Sequence, residues 1–107
     1  MEISYHNNDD MNALTEKVWK WFDEKDLHDV PMQMVKAQEE FGELAHEISR
    51  GNYKSQATKD AIGDTLVTII GVAHHLNLNV AECLAIAYGE IAERKGRVVN
   101  GSFVKYE

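Results

Sequence analysis

Cysteine is almost missing from this chain. Cys83 stands alone among 107 residues, so no internal disulfide can form, which suits a reducing compartment and a cytoplasmic protein. Proline occurs once, as Pro31, so little interrupts a helix. Basic residues are scarce: 11 Lys and Arg against 18 Asp and Glu give a net charge of −7 with no Lys/Arg-rich patch, which argues against a nucleic acid polymer as partner. Long hydrophobic runs are missing too. The longest, Ile62 to Leu76, is broken by Asp64, Thr65, Thr68 and two histidines, and is no membrane span. The opening MEISYHNNDDMN has no basic region followed by an apolar run and does not read as a signal peptide. There is no glycine-rich phosphate loop and no aspartate-rich calcium loop. His46–Glu47 lacks the second histidine of a zinc HExxH, and His74 and His75, being adjacent, are expected to face different ways on a helix.

What is present is helical periodicity. Residues 1–8 read as irregular, and Asn8, Asp9 and Asp10 offer caps for a first helix over about 9–25. Its stripe is Met11, Leu14, Val18, Trp21 and Phe22, with Trp19 off it. DLHD breaks this helix. Asp29 and Pro31 open a second, over about 30–49, with Met34, Ala37, Phe41, Leu44, Ala45 and Ile48 on one face. Lys36, Glu40, Glu43 and Glu47 fall on the other side, flanked by Glu39, and Gly51 suits the left-handed cap. Ser55 caps a third helix over about 55–77, with Ile62, Leu66, Ile69, Ile70, Ala73 and Leu76 as a broad apolar face. Asn79 with Glu82 starts a fourth over about 80–95, with Val80, Leu84, Ala87, Tyr88 and Ile91 inside. Asn100-Gly101 between apolar residues predicts a β-hairpin over 97–105. The fold class is all-α: a four-helix bundle with a short C-terminal hairpin, one domain over 1–107. One antiparallel neighbour cannot cover the third helix, so a homodimer or homotetramer is expected.

The chain is organised around Lys36 to Asp64. Glu39, Glu40 and Glu43 lie at one end, Asp60 and Asp64 at the other, with the polar break RGNYKS between them. Two helices joined by so short a turn fold back antiparallel, which brings both acidic groups together. Glu40 and Glu43 are spaced i, i+3, and Asp60 and Asp64 i, i+4, so each pair shares a face. A cluster of carboxylates repels itself unless a cation sits in it. Oxygen ligands without Cys or His suit Mg²⁺, with Mn²⁺ as the second choice. The plainer reading is a solvated acidic face, since Lys36 to Glu40 and Glu43 to Glu47 are ordinary surface spacings. Asp64 beside the apolar strip speaks against it.

The run KAQEEFGELA, a short loop, then DAIGDTLV resembles the MazG family of all-α nucleoside triphosphate pyrophosphohydrolases, whose hallmark is EExxE on one helix and ExxD on the next. The closing RKGRVVNGSFVK is similar to the tail of small single-domain MazG-like proteins, many from phages and bacteria. The likeness covers residues 13–106. It implies a MazG-like bundle, with Glu40, Glu43 and Asp64 as Mg²⁺ ligands and Glu39 as the residue that orients or deprotonates water. The chain departs from the pattern at Ala61, where the glutamate of ExxD would stand, and Asp60 is one step away as a substitute ligand. Gly89 and Ile91 stand about where the family has Asn and Lys, leaving Arg94, Lys95 and Arg97 to meet phosphate.

The activity so implied is Mg²⁺-dependent hydrolysis of nucleoside triphosphates, ribo or deoxy, between the α and β phosphates, giving the monophosphate and pyrophosphate. Lys36, Trp19, Tyr53 and Tyr88 complete the expected substrate contacts, the aromatics by stacking on a base. Trp21 could stack in the same way, but its place on the first helix's stripe favours core packing, and Lys36 has simple pairing with Glu40 as its alternative. Against the enzyme stands a non-catalytic helical module that binds nucleotide or protein on the same scaffold. Cys83 reads as a buried structural thiol.

Overall fold

The computed structural model describes residues 9–106, so the reading of residues 1–8 as irregular, with Asn8 among the caps, lies outside the described residues. Four helices precede a two-stranded antiparallel sheet: α1 (Met11–Glu24), α2 (Val30–Ser49), α3 (Gln56–His75), α4 (Val80–Ala92), β1 (Gly96–Val99) and β2 (Ser102–Lys105). Each helix starts at a residue whose side chain accepts from a first-turn amide. Asp10 takes Ala13 N at 2.8 Å, Asp29 takes Met32 N at 3.0 Å, Ser55 takes Thr58 N at 3.1 Å and Asn79 takes Glu82 N at 3.1 Å. The ends are equally local. Asp26 turns the chain after α1 with φ 57°, and Gly51 ends α2 with φ 78°, while Asn52 N reaches back to the Glu47 carbonyl at 3.0 Å. Asn100 and Gly101 both have positive φ, as a two-residue hairpin turn requires, and pair Val99 with Ser102.

The chain divides into two compact units, 1–77 and 78–107, where the sequence reads as one domain. In the first, α2 packs along α3, and α1 packs on α3. The six-residue connection 50–55 is held by the Thr58 hydroxyl, which donates to the Asn52 carbonyl. Lining residues fix the direction of the α2–α3 pair: Ala57, Asp60 and Ala61 share a cleft with Glu43, His46 and Glu47, and Asp64, Val67 and Thr68 share another with Glu40, Lys36 and Gln33. The two helices therefore run antiparallel. On the other flank Phe22 of α1, 1% exposed, seats its ring over Gly71 of α3.

The seam between α2 and α3 differs from the expected one. Its buried residues are Gln33 and Ala37 of α2 and Thr58, Ala61 and Thr68 of α3, all small or polar. Of the residues expected on the packed faces, Ala37, Ile70 and Ala73 are buried and Leu44 is half-buried, whereas the large Met34, Phe41, Ile48, Ile62, Leu66 and Ile69 are exposed. In α2, Gln33, Ala37, Glu40, Leu44 and Glu47 recur at three and four, and this stripe, polar or small except for Leu44, is the one turned towards α3. In the second unit α4 has no buried residue, and Leu84, Tyr88 and Ile91, read as interior, are exposed along with Cys83. Among the described residues no single helix is long and apolar enough to cross a membrane.

Candidate metal centre

Glu40 projects from the middle of α2 and Asp64 from the middle of α3, both half-buried at the seam. Antiparallel packing sets Glu43 and Asp60 one turn further along, and Glu39 on the flank. The electrostatics register this meeting. Glu40 is raised above its ordinary value of 4.5, first by desolvation, then by the charges of Glu43 and Asp64, a hydrogen bond with Glu43, and the charge of Glu39. Asp64 is raised above 3.8, again first by desolvation, then by the charge of Asp60, a hydrogen bond with it, and the charge of Glu43. Five carboxylates from two helices thus act on one another across the seam. Taking a carboxylate from water and setting others beside it penalises the charged form twice.

Two clefts open on this acidic ridge. One, of about 560 Å³, holds Glu39, Glu43 and Asp60. The other, of about 310 Å³, holds Glu40, Asp64 and Lys36 with Trp21, Phe22 and Leu27 of the α1 side as an apolar wall. The donor set fits a hard divalent cation: oxygens only, from rigid helices, with net negative charge to be offset. Glu40, Glu43, Asp60 and Asp64 are the residues that can hold it. Ala61, 5% exposed, is packed into the seam. A larger side chain there would overpack the seam.

The remaining residues singled out in the sequence are scattered. Lys36 pairs with Glu39 at 3.4 Å rather than with Glu40, and both are exposed. Trp19 does not face the acidic ridge: it stacks on His74, ring centroids 5.5 Å apart and 11° from parallel. Tyr53 is exposed in the α2–α3 connection. Tyr88, Arg94, Lys95 and Arg97 belong to the second unit, where Arg97 pairs with Val104 in the hairpin and the Lys95 carbonyl accepts from Tyr106 N. Of the aromatics considered for stacking, Trp21 is beside the ridge: its helical spacing favours the core, yet it is 46% exposed and lines the cleft with Glu40 and Asp64. Its proximity to Phe22, edge-on at 5.4 Å, shows why spacing misled: the two adjacent aromatics divide the work, and only Phe22 turns inward.

The raised values carry a pH consequence. Between the ordinary values of 3.8 and 4.5 and the raised ones, the folded chain holds more protons than the unfolded chain. Stability therefore falls as pH rises through that window; the penalty is absent below the ordinary values and complete above the raised ones. A cation competes with those protons. The rise in melting temperature given by Mg²⁺ should be larger at about pH 7.5 than at about pH 5. Scanning fluorimetry at the two pH values measures it, and an equal rise at both would uncouple the ion from these carboxylates.

Comparison with family models, with curated proteins and with solved structures finds no match to this chain.

Proposed function

We propose that the α2–α3 carboxylates hold Mg²⁺ and that the protein hydrolyses nucleoside triphosphates between the α and β phosphates, as in the MazG-like enzymes its sequence resembles. The observation that carries this reading is the meeting of Glu40, Glu43, Asp60 and Asp64, from two helices, beside an open cleft. Mg²⁺ in that position would offset phosphate charge and activate a water for attack on phosphorus. The chain's own residues supply the rest. Glu39, exposed beside the metal ligands, accepts the proton of the attacking water. Lys36, 3.4 Å from Glu39, is a cation at the cleft mouth that can turn to the phosphates. Trp21 offers an exposed ring face to a base. Water adds to the α phosphorus, the α–β bridging bond breaks, and the products are a monophosphate and pyrophosphate. The assay is pyrophosphate release from a panel of ribo- and deoxynucleoside triphosphates with Mg²⁺. Release from at least one supports the enzyme. A folded protein that releases none favours the binding module, for which buried Ala61 in place of a ligand is the supporting observation.

The working form in this proposal is a homo-oligomer, a dimer or a tetramer. Phe41, Ile69 and Met34 line an open groove on the outward face of the α2–α3 pair, and α4 buries nothing. Apolar faces of this extent on a soluble chain are normally covered by a partner. Replacing Phe41 or Ile69 with Glu should lower the mass measured by light scattering towards that of the 12.1 kDa chain. An unchanged mass would place the contact elsewhere.

A further inference from the structure

A second group of ligating side chains lies away from the acidic ridge. The last turn of α3 carries His74 and His75, and the last turn of α1 carries Asp23. One ligand atom from each of the three lies within 4.8 Å of the others. His74 Nε2 sits 3.1 and 3.2 Å from the two Asp23 oxygens. His28, just beyond α1, brings Nδ1 to 3.3 Å from His75 Nδ1, and its Nε2 lies 3.0 Å from Asp26 Oδ1. The adjacency of His74 and His75, expected to part them, does not keep either from Asp23.

These spacings alone also suit hydrogen bonds. The proton count goes further. Asp26 can only accept, so His28 Nε2 carries a proton, and in the neutral form of that ring Nδ1 is a bare lone pair. His75 Nδ1 must then donate to it. That leaves His75 Nε2 as a lone pair, and this atom is buried with no partner among the described residues. An unpaired buried acceptor costs free energy unless something electropositive meets it. Charging the ring would put an equally unpartnered N–H in the same place.

We propose that Asp23, His74 and His75 form a transition-metal site, for an ion of the Zn²⁺ class, with His28 and Asp26 behind His75 as the chain that fixes its tautomer. Imidazole nitrogens with one carboxylate suit Zn²⁺ and not Mg²⁺. Bond lengths of about 2.0–2.1 Å to such an ion place neighbouring ligand atoms roughly 3.3 Å apart, close to the His74–Asp23 separation. A carboxylate–histidine relay behind a ligand is the usual support for such a ring. The carbonyl end of α3, where both histidines sit, favours positive charge. With three protein ligands, and Asp23 half-exposed, a position is left for water. The ion would pin the end of α1 to the end of α3, behind the Phe22 ring, which His75 meets edge-on at 5.6 Å.

The test is calorimetric titration of the whole protein with Zn²⁺ in excess Mg²⁺, which occupies the carboxylate ridge. We expect one equivalent of Zn²⁺ per chain. His74→Gln and Asp23→Asn should each weaken it at least about 10-fold, and Glu40→Gln should leave it unchanged. Imidazole ¹⁵N shifts of His74 and His75 in the unmutated protein should move with the same stoichiometry, a readout that survives if His74→Gln fails to fold. Absence of binding under excess Mg²⁺ overturns the proposal. So does Zn²⁺ binding that Glu40→Gln removes and Asp23→Asn does not, since the ion would then sit among the carboxylates.

Discussion

Glu40→Gln should abolish pyrophosphate release and, at the same time, make the ion-free protein melt at a higher temperature than the unmutated one. The two effects have one cause. Glu40 is half-buried, and its pKa is raised first by desolvation and then by the charges of Glu43, Asp64 and Glu39. At neutral pH the ion-free fold holds these charges together against their repulsion. Glutamine keeps the shape and removes one charge, so the fold gains stability. In the proposed site it also removes a metal ligand. Loss of an outer-shell partner costs about 10–100-fold, and a direct ligand should cost at least the upper end of that. With Mg²⁺ present the order of stabilities should narrow or invert, because the unmutated protein gains about 2.7 kcal/mol at 100 times its dissociation constant and the variant gains less. Pyrophosphate assay and thermal melts with and without Mg²⁺ measure all of this. Turnover retained by Glu40→Gln would take Glu40 out of the metal shell. An ion-free melt lowered by the change would mean that the fold does not penalise a charge at Glu40.

Gly71→Ala should be the most damaging single methyl in the first unit. A Cβ at Gly71 would overlap the Phe22 ring, with Cε1 at 2.6 Å and two further ring carbons as close or closer. Phe22 cannot move aside cheaply, since it is among the most buried side chains and its ring also meets Trp21 and His75. Overpacking of this kind costs about 1–3 kcal/mol, and occasionally more. At about 4–8 °C per kcal/mol for a chain near this size, a drop of roughly 4–24 °C is expected at matched protein concentration. Phe22→Leu in the same chain should return part of it, because the smaller side chain leaves space for the methyl. A Gly71→Ala variant that melts like the unmutated protein would show that α1 does not seat on α3 as described.

Prediction of the elements from the sequence worked because the signals are local. Asp10, Asp29, Ser55 and Asn79 each satisfy an amide three residues on. Asn100-Gly101 supplies two positive φ angles. Such choices depend on a few neighbours and need no knowledge of the rest of the chain. Boundaries slipped where nothing local stops the helix, as in α4, which ends at Ala92 rather than about 95.

The acidic cluster was legible for the same reason. A six-residue connection between two helices allows little besides an antiparallel return, so residues equidistant from the turn must meet. Glu43 and Glu40 lie 7 and 10 residues before the connection, Asp60 and Asp64 lie 5 and 9 after it, and their mutual effect on pKa fits the meeting. The face each helix turns inward was legible only in part. Hydrophobic periodicity marks the stripe that must be buried somewhere, without saying by what. Ala37, Ile70 and Ala73 of the expected faces are buried, but the large apolar residues of those faces are exposed and the seam takes in Gln33, Thr58, Ala61 and Thr68.

By itself, then, the sequence settled what depends on contacts a few residues apart: four caps, a left-handed stop at Gly51, a two-residue hairpin turn, and carboxylates at helical spacing on either side of a short loop. Only the tertiary structure decided what depends on the approach of distant segments. It put Phe22 rather than Trp21 into the core, stacked Trp19 on His74, and gathered Asp23, His28, His74 and His75 from two ends of the first unit. The physical reason is that backbone hydrogen bonding is satisfied locally, whereas a side chain's partners are chosen by whichever surface the fold brings within a few ångströms.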